Sequence, residues 1–432
     1  MPHPLAETEK RHLWHPFTPM QPWCAPEHQP LMIVEGRGCE LIDADGRAYL
    51  DGNSSIWTNI HGHSHPRLVA AIQQQAAQLS HSSFLGLTHP LAAELAQRLC
   101  AATGPDSPLQ RVFFSDNGST AIESAVRMAL QYWAQNGQPQ RTQLAAFDRA
   151  YHGDTLGAVS LGGIAAFRGV PDHVGYPVTR LTGLENLHAL PEATTRQLAA
   201  IVIEPLIQGA AGMRLWPPGL LRGLAAWCRE HDVFLILDEV MTGFGRTGSL
   251  FACQQEGVIP DFLALAKGLT GGTVPLAATL TTERVFQGFL GLPEEERTFY
   301  YGHSYTAYPL GCAAALASLD VFEEEHVLAQ LPAKEHALRQ ALEPFSQLPH
   351  VAEIRQCGLI AGIDLVASRE PLRPFPPAAR LGARVCQAAR DEGLLTRPIR
   401  DTLVLMPPLA ATEIQIQEMA ARLLRATHRV IT

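Results

Sequence analysis

Between about residues 60 and 280 the chain alternates between two hydrophobic rhythms. In "LVAAIQQQAAQL" and "PLAAELAQRLCAAT" apolar residues recur at helical spacing, and each segment predicts an amphipathic helix. Short, nearly unbroken apolar runs follow: "RVFFSD", "AAIVIEP", "VFLILDEV" and "FLALAKG". Runs that are apolar at every position suit strands buried on both faces. Their alternation with helices predicts an α/β fold with a mainly parallel sheet covered on each side.

Outside this stretch the pattern changes. The first 30 residues carry prolines at 2, 4, 16, 19, 22, 26 and 30 and predict an extended arm. "CELIDADGRAYLDG" predicts a hairpin around the Asp45-Gly46 turn. After "GCAAALASLDVFEEE" the pattern becomes long amphipathic helices with isolated strands at Leu359–Leu365 and Thr402–Met406. Three stretches follow: 1–59 as an N-terminal arm and part of a small α+β domain, 60–325 as a large domain, and 326–432 as the rest of the small one.

Composition narrows the classes of function. A chain of 432 residues, 46% hydrophobic and 17% charged, is long enough for one large domain with a smaller companion. Its net charge of -9 supplies no basic field for nucleic acid or anionic lipid. The acidic runs Glu294–Glu296 and Glu323–Glu325 suit solvated faces. No apolar run is long enough for a membrane span, and "MPHPLAETEKRHLW" lacks the apolar stretch of a secretory signal. The eight cysteines are scattered and form no C-x-x-C pair, which fits reduced thiols in a cytoplasmic protein.

In such sheets ligands bind beyond the carboxyl ends of the strands, so the residues after each apolar run matter most. In "FFSDNGSTAIESAVRMALQYW", Gly118-Ser119 opens a predicted helix with apolar positions Ile122, Val126, Leu130 and Trp133. Free N–H groups and a hydroxyl at a helix start suit a phosphate; they equally suit a plain N-cap. "VFLILDEV" ends on Asp238 and Glu239. Successive strand side chains face opposite ways, so only one of the two acids can address a given ligand. With no metal partner beside it, that acid suits a protonated heteroaromatic nitrogen; the alternative is a capping carboxylate.

In "AYHGDT", Tyr151 offers a flat aromatic surface beside a glycine, or is ordinary core. In "DFLALAKGLTGG", Lys267 sits between an apolar strand and a glycine turn. Lysine is rarely buried without a partner for its ammonium. Lys267 therefore either snorkels outward or is held where its pKa falls and its amine becomes a nucleophile.

Two other motifs have poor context. "GFGRTG" matches a dinucleotide fingerprint, which keeps a dinucleotide-dependent oxidoreductase as the alternative from another class. However, "DEVMT" separates it from the strand, and only eight residues lie between Gly248 and Gly257. "HGHSHP" sets His61, His63 and His65 at alternate positions, a spacing that suggests metal, with no carboxylate or cysteine near them in sequence. Pro66 reads instead as the opening of a helix, and no metal is expected.

A phosphate-binding helix start, a stacking aromatic, a strand-end acid and a lysine after a strand are together the parts that pyridoxal 5'-phosphate needs. The segments "SDNGSTAIESAVRMALQYW", "AYHGDTLGAVS", "IEPLIQGAAGM", "LDEVMTGFGRTG" and "ALAKGLTGG" resemble the class III, or omega, aminotransferases, and the resemblance covers essentially the whole chain. It implies a type I aminotransferase fold with a seven-stranded sheet, and a homodimer with shared active sites. Carried over by position, Gly118 and Ser119 hold the cofactor phosphate and Tyr151 stacks on the ring. Asp238 pairs with the ring nitrogen, and Lys267 bonds the cofactor covalently and moves protons. Gly302, His303 and Ser304 match a segment that reaches the partner subunit's site, where Ser304 would touch phosphate.

Within the class, "HLWHPFTPM", "DGNSSIWTNIHGHSHP" and "LLTRPIRD" with "MPPL" look like the branch that aminates 8-amino-7-oxononanoate in biotin biosynthesis. That likeness implies Arg397 as the clamp on the substrate carboxylate, Trp57 as a wall along its aliphatic chain, and S-adenosylmethionine as donor. Phe17 and Ile56 depart from the tyrosine and tryptophan usual in adenosylmethionine-using members, and lysine is the alternative donor. Another omega-aminotransferase, acting on ornithine, 4-aminobutyrate or a polyamine, is the runner-up.

Overall fold

The computed structural model describes residues 3–169 and 174–431. Seven strands form the central sheet: β1 (Leu109–Ser115), β2 (Gln143–Phe147), β3 (Val178–Leu181), β4 (Leu198–Ile203), β5 (Phe234–Asp238), β6 (Phe262–Leu265) and β7 (Ala277–Thr282). Their spatial order is β1-β7-β6-β5-β4-β2-β3. Only β7 runs against its neighbours, pairing antiparallel with both β6 and β1.

Alternation along each strand explains why the runs are apolar throughout. Ala145, Phe147, Ile201, Ile203, Leu235, Leu237, Leu263 and Leu265 join one core with Leu221, Leu224 and Trp227 of the helix Leu220–Glu230. The intervening Leu144, Ala146, Val202, Phe234, Ile236 and Phe262 face the other core. There they pack on Ile122, Ala125, Val126 and Trp133 of the helix Gly118–Gln135. Each fully buried leucine or phenylalanine contributes about 1.5–3 kcal/mol. The mainly parallel sheet covered on both faces is therefore the observed architecture.

Three of the seven strands lie outside the four apolar runs of the sequence. β2 ("QLAAF") and β7 ("AATLTT") carry alanine, which strands usually lack, and β7 breaks its apolar run with polar threonine. Close helix packing makes the small residues fit. β3 ("VTRL") is an edge strand and only partly buried.

The N-terminal arm is not simply extended. It contains the short helices Ala6–His12 and Met20–Trp23. Glu7 and Glu9 in the first turn and Lys10, Arg11 and His12 in the last complement the helix dipole. Pro19 and Pro22 fall at the start of the second helix, where no intrahelical N–H bond is required. Pro2 lies outside the described residues. The hairpin forms as expected, with Glu40–Asp43 antiparallel to Ala48–Asp51. Ala48–Asp51 also pairs in parallel with Leu394–Leu395, so the two ends of the chain share a sheet. A second sheet joins Val351–Cys357, Ile360–Leu365 and Thr402–Leu405.

The histidine triplet is corrected by tertiary contacts. The carboxylates absent from its sequence neighbourhood arrive from elsewhere: His63 Nε2 meets Asp51 Oδ2 at 2.8 Å, and His65 Nε2 meets Glu325 Oε1 at 3.0 Å. His61 is buried against Ser318 Oγ at 2.9 Å. The three rings thus go to three different partners. The run Glu323–Glu325 is exposed, and its members also pair with Arg98, Arg67 and His65.

Candidate active site

β1, β2, β4, β5 and β6 deliver their following loops to one cavity of about 490 Å³. Lys267 enters it directly after β6. It has φ of 41°, a conformation that costs a non-glycine residue energy. Burial pushes the Lys267 pKa below the ordinary lysine value, while Asp238 and Glu204 pull it up and Arg246 pushes it down. Its Nζ lies 5.0 Å from the centroid of the Trp57 ring.

Asp238 and Glu239 separate as strand geometry demands. Asp238 lines the cavity, and its Oδ2 is 2.7 Å from His152 Nδ1. Glu239 points to the other side, fully buried, and accepts from Ala252 N at 2.6 Å, Cys253 N at 2.8 Å and Thr242 Oγ1 at 3.2 Å. Glu239 is therefore the capping carboxylate and Asp238 the acid that faces the cavity.

The helix Gly118–Gln135 starts at the cavity, and its cap is Asn117. Asn117 Oδ1 accepts from Thr120 N at 3.1 Å, and Thr120 Oγ1 accepts from Asn117 N at 3.1 Å. Ser119 is thus not the N-cap. Its Oγ accepts from Asp154 N at 3.1 Å, and the intrahelical ladder begins only with Ala121. Both Gly118 and Ser119 line the cavity. A Cβ on Gly118 would come within 2.6 Å of Val240 Cγ1, and one on Gly153 would strike the Ser119 side chain. The backbone here is packed as tightly as only glycine permits.

Tyr151 lines the cavity beside them and donates from its hydroxyl to Asp154 Oδ2 at 2.6 Å. Burial and Asp154 raise its pKa. Its ring meets Phe167 edge-on at 5.8 Å, and Phe167 meets Phe17 at 5.7 Å. These three aromatics form one contiguous group.

The remaining sequence candidates lie farther out. Phe17 and Ile56 are more than 40% exposed. Arg397 is exposed, donates to Phe17 O at 3.4 Å and places its guanidinium 5.8 Å from the Phe17 ring centroid. Gly302 and Ser304 are exposed and do not line this chain's cavity. His303 lies beside it, with Nδ1 3.0 Å from Asp116 Oδ2.

Sequence reasoning missed His152, Glu204 and Phe167. His152 stands inside the quoted "AYHGDT" and Glu204 inside "IEPLIQ", but nothing local pairs His152 with Asp238 or Glu204 with Tyr151. Glu204 lines the cavity and accepts from Gly209 N at 2.9 Å and Tyr151 N at 3.2 Å. Burial raises its pKa to about 7, against the lowering effect of His152; Asp238 raises it further.

The residues fit pyridoxal phosphate. A glycine-tight helix start with a hydroxyl suits a phosphate, a depressed lysine suits covalent attachment, and a buried carboxylate suits a pyridinium. The buried Nε2 of His152 has no protein partner, so this polar corner is built to meet something besides protein.

The family model for class-III aminotransferases matches residues 23–427. The adenosylmethionine-8-amino-7-oxononanoate aminotransferase of Geobacter sulfurreducens is 44% identical, over 99% of this chain and 98% of that protein. The crystal structure of the enzyme of the same name from Methanocaldococcus jannaschii superposes with a TM-score of 0.96, at 38% identity over 99% of both chains. An amine transaminase from an uncultivated Pseudomonas species, solved with pyridoxal phosphate bound, gives 0.89 at 32% identity over 97% of this chain and 99% of that one. With a family match over nearly its full length on top of this site, the chain belongs to the class-III aminotransferases.

Proposed function

We propose that this protein transfers an amino group from S-adenosylmethionine to 8-amino-7-oxononanoate, giving 7,8-diaminononanoate for biotin biosynthesis, with pyridoxal 5'-phosphate as cofactor. The observation that carries the chemistry is Lys267 and Asp238 facing one cavity, the lysine depressed by burial and the acid backed by His152. The names of the full-length relatives carry the choice of substrates.

The cofactor, when bound, supplies an electron sink for the bond broken at the substrate α-carbon. Gly118 and Ser119 would hold its phosphate with N–H groups and hydroxyl. Tyr151 supports its ring. The Asp238 carboxylate, held by His152 Nδ1, would keep a proton on the ring nitrogen. A depressed pKa leaves more of the Lys267 amine unprotonated at neutral pH, so its Nζ can take and return a proton. Arg397 suits a carboxylate through its planar fork, and Trp57 flanks the aliphatic chain.

For the donor, the group Phe17, Phe167 and Tyr151 adds an aromatic surface that Phe17 and Ile56 alone did not offer. Such a surface favours an adenine ring and a sulfonium through stacking and cation–π contact. The test is single-turnover conversion of the yellow holoenzyme to its aminated form. Adenosylmethionine should convert it rapidly, and the aminated enzyme should then consume 8-amino-7-oxononanoate. Conversion by lysine alone would move the assignment to the lysine-using alternative; conversion only by ornithine or 4-aminobutyrate would overturn the substrate assignment.

A homodimer sharing its two sites is part of the same proposal. Gly302, His303 and Ser304 would serve the partner's cofactor, consistent with the exposure of Ser304 and of Tyr300 and Tyr305 beside it. Light scattering should give twice the chain mass. A cytoplasmic location accords with eight free cysteines, and among the described residues no helix is long and apolar enough to cross a membrane.

A further inference from the structure

The segment Asn53–Trp57 brings Trp57 to the cavity on a backbone that ordinary chains avoid. Ser54, Ser55 and Trp57 have φ of 46°, 60° and 66°. Ser55, with ψ of -84°, occupies the rare γ-turn region. Conformations of this kind persist only where the surroundings over-determine them, and they gather at functional sites.

Here the surroundings are Asp51, 1% exposed at the end of the strand Ala48–Asp51. Its Oδ1 accepts from Asn53 N at 3.2 Å and its Oδ2 from Ser55 N at 2.7 Å. His63 Nε2 reaches the same Oδ2 at 2.8 Å. Asn59 Nδ2 lies 2.9 Å from His63 Nδ1. With that amide donating, Nε2 carries the ring proton and donates it to Asp51. Asn53, held by Asp51 through its backbone, accepts the Trp57 indole N–H on Oδ1 at 3.1 Å and donates from Nδ2 to Ser55 O at 3.1 Å. A continuous line of hydrogen bonds thus runs from Asn59 through His63, Asp51 and Asn53 to the ring beside Lys267.

We propose that Asp51, backed by His63, is a positioning residue for the substrate wall: it holds the Asn53–Trp57 turn so that the Trp57 indole stands beside Lys267. Asp51 does not line the cavity and acts through Trp57. A carboxylate serving stability alone would need only to satisfy the turn. This one binds the residue in the γ conformation and also the residue that grips the indole. Gly209 also packs near the ring, since a Cβ there would lie 3.4 Å from Trp57 Cζ3.

The wall role of Trp57 rests on the proposed function, whereas its position can be read in cofactor-free protein. There, the Trp57 emission is obtained as the difference between each protein and its Trp57→Phe counterpart. It should move to longer wavelength in Asp51→Asn, with pyridoxal phosphate affinity unchanged. In the holoenzyme, Asp51→Asn should raise KM for 8-amino-7-oxononanoate about tenfold while kcat falls less. In a Trp57→Phe background the same substitution should add nothing further.

Asn53→Ala leaves Asp51 in place and should reproduce both results, which covers an Asp51→Asn protein that does not fold. Unchanged Trp57 emission in the variants, or losses that add in the double variant, overturns the proposal. The expected emission shift in the variants, together with a wild type that lacks aminotransferase activity, would uphold the positioning and instead refute the proposed function.

Discussion

His152 Nδ1 and Asp238 Oδ2 meet at 2.7 Å with both side chains almost wholly buried. Asp238 Oδ1 accepts from Val240 N at 3.1 Å, so both carboxylate oxygens are oriented by protein. A carboxylate fixed in this way at the cavity suits the proposed role of keeping a ring nitrogen protonated, whereas Glu239 is turned away from the cavity.

Asp238→Asn should therefore lower kcat on the order of 10²- to 10⁴-fold with little change in melting temperature. Glu239→Gln should do the reverse. It places an amide against the buried N–H groups of Ala252 and Cys253, a cost of about 1–3 kcal/mol for an unsatisfied donor. Steady-state kinetics and thermal unfolding of both variants check the pair; exchanged phenotypes would mean that Glu239 is the ligand-facing acid.

Lys267→Ala should abolish turnover, a loss on the order of 10⁴-fold or more, because both covalent attachment and proton movement depend on one amine. Borohydride treatment of the wild-type holoenzyme should fix the cofactor to Lys267, read by peptide mass spectrometry. An adduct on any other lysine would refute the assignment.

Arg397→Ala should weaken use of the keto substrate and spare the donor half-reaction. A charge-assisted contact contributes about 1.5–3 kcal/mol, which is tenfold or more in apparent affinity. Separate single-turnover measurements of the two halves decide the matter. Equal damage to both would make Arg397 a prop for Phe17, whose carbonyl it already holds.

Glu204 predicts a slope in stability with pH. Its folded value is raised to about 7 from 4.5, with burial the largest cause. The folded state therefore binds the proton more tightly than the unfolded chain. Its contribution is complete below about 4.5 and is lost as pH rises through about 7. The amount is roughly 3 kcal/mol. Denaturant unfolding of cofactor-free protein at pH 5, 6 and 7.5 should show this decline. Glu204→Gln should flatten it; an unchanged slope would place the titrating group elsewhere.

The sequence alone determined whatever depends on neighbours along the chain. Continuous apolar runs such as "VFLILDEV" can be strands only if both faces are covered, so the buried parallel sheet was legible. The opposite facing of Asp238 and Glu239 follows from a two-residue period. Lys267 stood out because a charge inside an apolar segment requires a reason.

Tertiary structure alone decided which partners arrive from far away. His152 reaches Asp238 across 86 residues, and His61 reaches Ser318 across 257. No local rhythm records such contacts, because they exist only after the sheet brings the strand ends together. The short helices of the arm were hidden for another reason: proline signals extended chain except in a helix's first turn, and only the fold shows where that turn begins. Asp51 reads in sequence as the end of a hairpin strand. Its grip on Ser55 depends on left-handed backbone angles that serine seldom adopts, and its contact with His63 arrives from another segment, so only the packed structure brings them together.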